Sequence, residues 1–121
     1  MSLIKSKVLE IGEMAYFDGY PILILFNNSA PAGLREVSII HEFTTPANKE
    51  MLKKGSKILF NEKMYTVDAI GDVANQTFYD LGHVSLYFGL EEGAELLPGS
   101  VLLSPSEVPQ VKVGDILQFI K

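Results

Sequence analysis

Short runs of Val, Ile, Thr and aromatic residues alternate with Gly, Pro, Asn and Asp clusters at roughly ten-residue intervals, and this punctuation limits the fold more than any other feature. The runs predict strands over Ile4–Ile11, Ile22–Phe26, Glu36–Phe43, Ser56–Phe60, Lys63–Ile70, Val84–Phe88, Ser100–Leu103 and Ile116–Ile120. Asn61-Glu62, between two of them, reads as the two-residue loop of a hairpin. Gly55, Gly99 and Gly114 each stand just before a strand, where glycine eases a tight entry into the sheet. Strands this short and numerous must bury their apolar faces against one another. The expected fold is all-β: a small closed or partly closed β-barrel of about six to eight short strands with one or two short helices. One helix is predicted over Pro46–Lys54, with Thr45 as its cap and Gly55 as its stop, and another over Val73–Leu81 before Gly82.

At 121 residues, with 47% hydrophobic and 21% charged, the chain has the size of a single domain spanning 1–121 and is not disordered. Ten Lys and Arg against fifteen Asp and Glu give a net charge of −5, with no basic cluster, which argues against nucleic acid as a partner. Cysteine is absent, excluding disulfides, thiolate zinc sites and thiol nucleophiles. The longest near-continuous apolar run, Tyr20–Phe26, is far short of the ~20 residues that span a bilayer. The N-terminal Met1–Lys7 segment alternates polar and apolar residues without a signal-peptide block, so a cytoplasmic location without membrane insertion is expected.

Imidazole chemistry must pass through His41 or His83, the chain's two histidines. In Val37–Phe43, period-two geometry puts His41 on one face with Val37, Ile39 and Phe43, and Glu42 on the other. An imidazole on that apolar face is either a core histidine bonded to a backbone carbonyl or a nucleophile kept neutral by desolvation. His83 opens the next strand on its more polar face, with Ser85 and Tyr87, directly after Gly82. Its plain reading is an exposed histidine at a strand start. Glu91, Glu92 and Glu95 form an acidic run read as a solvated loop, and Asp72 and Asp80 are read as caps of a helix or turn. No histidine pair has metal-ligand spacing, and no phosphate-cradling glycine loop or nucleophile elbow is present.

Taken together, Ala69-Ile70-Gly71-Asp72-Val73-Ala74 followed by Asp80-Leu81-Gly82-His83-Val84-Ser85-Leu86 resembles a known signature. Leu23–Phe26, Ala30–Leu34 and Ile39-Ile40-His41 are similar to its first histidine region. The family is the glucitol/sorbitol-specific IIA component of the bacterial phosphoenolpyruvate-dependent sugar phosphotransferase system (PTS), and the likeness runs from Leu9 to Phe119. Gly33 stands where an acidic residue is usual, and Ser29 where glycine is. The resemblance implies a phosphotransferase that works through a phosphohistidine. His41 would accept a phosphoryl group from the phosphocarrier protein HPr and pass it to the IIB domain of a membrane sugar transporter. His83 would lie close by as a stabilising donor. Gly82's backbone and the hydroxyls of Thr44, Thr45 or Ser85 would be further donors, and no cofactor or metal would be needed. Phe43 and Ala30–Leu34 would form an apolar docking rim, and exposed strand edges could pair two copies into a homodimer. The competing reading is a non-catalytic small β-barrel binding module in which both histidines are structural. A metal-dependent enzyme is a third reading, which would require carboxylates converging on both rings.

Overall fold

The computed structural model describes residues 3–16, 19–90 and 93–121. Met1 and Ser2 of the N-terminal segment, and Glu91 and Glu92 of the acidic run, lie outside the described residues. All the predicted strands form: β1 (Leu3–Ile11), β2 (Ile22–Phe26), β3 (Ile39–Phe43), β4 (Lys57–Phe60), β5 (Lys63–Ile70), β6 (Val84–Tyr87), β7 (Ser100–Ser104) and β8 (Ile116–Ile120). They close a barrel in the order β1-β3-β2-β6-β7-β5-β4-β8, with β8 pairing back onto β1. The β2–β3 and β6–β7 pairs are parallel; the other pairs are antiparallel. Closure joins every described strand to two neighbours, so the strand-edge route to a homodimer expected from the sequence has no free ladder among the described residues.

Local chemistry explains the hairpin. Phe60 pairs with Lys63, leaving Asn61-Glu62 as a two-residue turn, and Asn61 takes the left-handed conformation that asparagine tolerates. Alternation along each strand separates inside from outside. Ile4, Ser6 and Val8 of β1, and Leu23 and Leu25 of β2, are buried towards the barrel interior. A small outer cluster of Phe26, Ala30 and Ile40, with Leu9 against it, covers the wall where β1, β3 and β2 adjoin.

Two helices form, one of them away from its predicted place. α1 (Ala32–Arg35) is a four-residue turn within the segment expected to be an apolar rim. α2 (Ala74–Leu81) matches the prediction to within a residue, burying Ala74 and Phe78, four apart on one face. The helix predicted over Pro46–Lys54 does not form. Thr45 does not cap it, because its Oγ1 accepts the Lys5 backbone N–H at 2.9 Å. The Asn48 side chain turns the chain locally by accepting the Glu50 N–H at 2.9 Å. Met51 and Leu52 both enter the core, and the Asn75 amide grips Leu52 through both its backbone groups. Tertiary contacts have replaced the i→i+4 ladder.

Candidate functional site

α2 brings the two histidines to a common point. Its C-terminus ends in a left-handed Gly82, whose N–H bonds to the Phe78 carbonyl at 2.9 Å while the His83 N–H reaches the Thr77 carbonyl at 3.2 Å. This is the paired closure by which a helix satisfies its last carbonyls before a strand begins. The Gly82 carbonyl is left facing the barrel interior, where His41 Nε2 lies 2.7 Å away. Glycine is required here on two counts. Its φ is +59°, and a Cβ would stand 2.8 Å from Asn27 Cβ and 3.2 Å from His41 Nε2.

His41 is fully enclosed. It lies on the inner face of β3 with Ile39, while Glu42 points outward, in the predicted phase. Its ring stacks on Phe78 at 5.8 Å and meets the edge of Phe43 at 5.3 Å between centroids. A carbonyl only accepts, so the Gly82 contact places the proton of the neutral ring on Nε2 and leaves the Nδ1 lone pair without a protein partner among the described residues. Desolvation drives the His41 pKa from 6.5 down to about 4, against a smaller upward pull from the Gly82 carbonyl. The ring is therefore uncharged at neutral pH.

His83 occupies the other side of the wall. Its ring lies 4.5 Å from Phe26, in the outer cluster, and is half-buried. Its Nδ1 faces the Leu25 carbonyl at 3.1 Å, which puts the proton on Nδ1. Nε2 has no protein partner among the described residues. The rings do not face each other across a pocket. Gly82 separates them, bonded to one and covalently adjacent to the other.

The remaining predicted donors are placed elsewhere. Thr44 Oγ1 donates to the Lys5 carbonyl at 3.3 Å and Thr45 Oγ1 accepts from the Lys5 N–H, so both hydroxyls serve the β1 backbone. The Gly82 N–H is engaged within α2's closure, and its carbonyl accepts instead of donating. Ser85 shares the outward face of β6 with His83. Phe43 is half-buried and packs in an aromatic cluster with Phe78 and Phe119. Asp72 does not cap α2, whose N-terminus has no side-chain cap, and Asp80 accepts from the Gln76 side chain at 2.6 Å.

Two residues not singled out from the sequence support the junction. Asn27 donates its backbone N–H to the Leu81 carbonyl at 2.9 Å, tying the end of β2 to the end of α2. Arg35 braces the following loop, donating to the Asn28 carbonyl and to Asn28 Oδ1, each at 2.9 Å, while its Nε pairs with Glu10 at 3.2 Å. No sequence motif marks either role: the Asn27 bond extends the antiparallel β2–β6 ladder beyond its last paired residues, and the Arg35–Glu10 pair depends on β1 lying beside the loop. Among the described residues no three His, Asp or Glu side chains converge to hold a metal ion. A cleft of about 580 Å³, lined by Tyr20, Pro21, Ile22, Tyr87 and Phe88, opens beside the start of β2 and the end of β6, away from His83.

Comparison with known proteins agrees along almost the whole chain. The family model described as PTS system glucitol/sorbitol-specific IIA component matches residues 3–118. Proteins described as the PTS system glucitol/sorbitol-specific EIIA component, from Escherichia coli (strain K12) and Shigella flexneri, are each 34% identical over 99 residues, covering 81% of this chain and 77% of theirs. The crystal structure of a PTS system IIA component from Enterococcus faecalis V583 shares the fold, with a TM-score of 0.87 over 97% of this chain and 99% of that one, at 23% identity.

Proposed function

The chain belongs to the PTS glucitol/sorbitol-specific IIA component family, and on that premise we propose that it is a phosphoryl carrier with His41 as the acceptor. Phospho-HPr is the donor and the IIB domain of a glucitol/sorbitol transporter is the recipient. In the first transfer the N–P bond of HPr's phosphohistidine breaks as a bond from phosphorus to a His41 ring nitrogen forms, and in the second the His41 N–P bond breaks as phosphorus bonds to a nucleophile of the IIB domain; each time the departing imidazole keeps the electron pair. The first step needs an uncharged attacking ring held in place, with donors for the charge on the phosphoryl oxygens.

The observation that carries this reading is the Gly82 junction: a buried His41 Nε2 bonds to its carbonyl, and His83, the next residue, stands on the outer side of the same wall. Burial supplies the uncharged ring, and Phe43 and Phe78 orient it. The same burial shuts His41 off from solvent. On this reading the site opens by an outward swing of the Gly82–His83 junction, which breaks the Nε2–carbonyl bond and admits the donor. In the open form His83 stands at the mouth, where a ring N–H can bond to the phosphoryl oxygens.

A second reading reverses the roles. His83 is partly exposed and its Nε2 has no protein partner among the described residues, which favours it as the acceptor. His41 would then be the core histidine whose carbonyl bond anchors the junction. The carrier reading itself is tested by incubating the protein with phosphoenolpyruvate, enzyme I and HPr, then adding membranes that hold a glucitol transporter. Glucitol phosphate that forms only with this protein present supports it. None, with HPr shown to be phosphorylated, leaves a binding module as the better account.

A further inference from the structure

Three buried side-chain atoms have no protein hydrogen-bond partner among the described residues: Ser6 Oγ, Ser38 Oγ and His41 Nδ1. Ser38 precedes β3 in phase with Ile40 and so lies on the opposite side of the sheet from His41. Ser6 and His41 share the interior. Ser6 lies between Ile4 and Val8 on the inward face of β1, within the apolar core. On the β1–β3 ladder Val8 pairs with His41 and Ser6 with Phe43, so Ser6 and His41 are diagonal neighbours, their backbones roughly 7–8 Å apart. While Nε2 reaches out to Gly82, Nδ1 is bonded to Cγ and stays beside its own strand, whose other neighbour is β1. Buried polar atoms rarely stay unpaired, and two on one diagonal of an apolar interior call for a common explanation.

We propose that the Ser6 hydroxyl is the hydrogen-bond partner of His41 Nδ1, reached by rotation about χ1 or through one ordered water, and that Ser6 is a positioning residue for the ring. A hydroxyl suits this position because it both donates and accepts. With the His41 proton on Nε2 and facing Gly82, Ser6 donates to the Nδ1 lone pair. When the Gly82 junction opens, the proton can reside on Nδ1 with Ser6 as acceptor, and Nε2 then holds the lone pair. Ser6 keeps the ring in one orientation through both tautomers. Its importance for transfer rests on the carrier reading above; the contact itself does not.

The test uses the full chain, unphosphorylated, labelled with ¹⁵N at histidine. In the wild type the ring correlations should show the proton on Nε2 and Nδ1 displaced by hydrogen bonding. Ser6→Ala, which removes the hydroxyl and adds no bulk, should move the Nδ1 resonance towards that of a free lone pair, and Ser6→Thr, which keeps a hydroxyl, should restore it. Phosphoryl transfer by Ser6→Ala should fall about tenfold, equivalent to ~1.4 kcal/mol of lost interaction. A Ser6→Ala protein whose Nδ1 resonance coincides with the wild type overturns the proposal, as does a folded Ser6→Thr protein that resonates like Ser6→Ala. If the wild type accepts no phosphoryl group, the carrier reading fails while the ring resonances still decide the contact.

Discussion

His41 Nε2 and the Gly82 carbonyl, 2.7 Å apart, join a buried strand residue to the end of α2. The bond fixes the ring's tautomer and closes the interior at the point where the second histidine begins. Gly82 is therefore the most sensitive backbone position of the site. Gly82→Ala puts a Cβ at positive φ, against Asn27 and the His41 ring. It should cost about 2 kcal/mol of stability, combining left-handed strain with local crowding. Urea denaturation measures the cost, and a variant as stable as the wild type would show that the junction yields without strain.

Burial of His41 makes stability depend on pH with a defined sign. The folded pKa is about 4 against an ordinary 6.5, so between these values the unfolded chain binds more protons than the folded one. The stabilisation is complete above about pH 6.5 and is lost progressively as pH falls through 4. Its full size is roughly 3 kcal/mol. His41→Gln, which keeps a donor for the Gly82 carbonyl, should flatten the urea midpoint across that window. An unchanged slope would mean that other groups carry the dependence.

Phe78 shields the ring and links it to Phe43 and Phe119. Phe78→Ala should destabilise the fold by about 3–5 kcal/mol, as deletion of a buried phenyl does. If the variant stays folded, water reaches His41 and its pKa should rise towards 6.5, visible as an NMR titration of the ring carbons. A titration still near 4 would place the desolvation elsewhere in the barrel.

The segment that failed to become a helix gives a further check. Asn75 Oδ1 accepts from the Leu52 N–H at 2.8 Å and Asn75 Nδ2 donates to the Leu52 carbonyl at 2.7 Å, a side chain standing in for a strand partner. Asn75→Ala strands both groups and should cost about 2 kcal/mol. Hydrogen exchange at Leu52 should accelerate more than at Val8. Equal protection at both sites would show that the segment holds without the amide.

The strands were legible because alternation and turn residues are local signals: Asn61-Glu62 marks its hairpin without reference to the rest of the chain. Pro46–Lys54 misled because a cap signal at Thr45 is also local, whereas the partner that took its hydroxyl oxygen, Lys5, is forty residues away. The inward phase of His41 was readable from Ile39 and Phe43. Its bond to Gly82 was not, since the direction of that carbonyl follows from the closure of α2 and from barrel order. The aromatic cluster of Phe43, Phe78 and Phe119 was not legible either, because period-two reasoning says which side a residue faces but not how far its contacts extend across the barrel.

The central claim is that His41 accepts the phosphoryl group, and intact-mass analysis after incubation with phosphoenolpyruvate, enzyme I and HPr tests it most directly. The wild type should gain one acid-labile phosphoryl group, His83→Ala should retain some of it, and folded His41→Ala should gain none. Phosphorylation of His41→Ala equal to the wild type, with loss in His83→Ala, would contradict the claim and make His83 the acceptor.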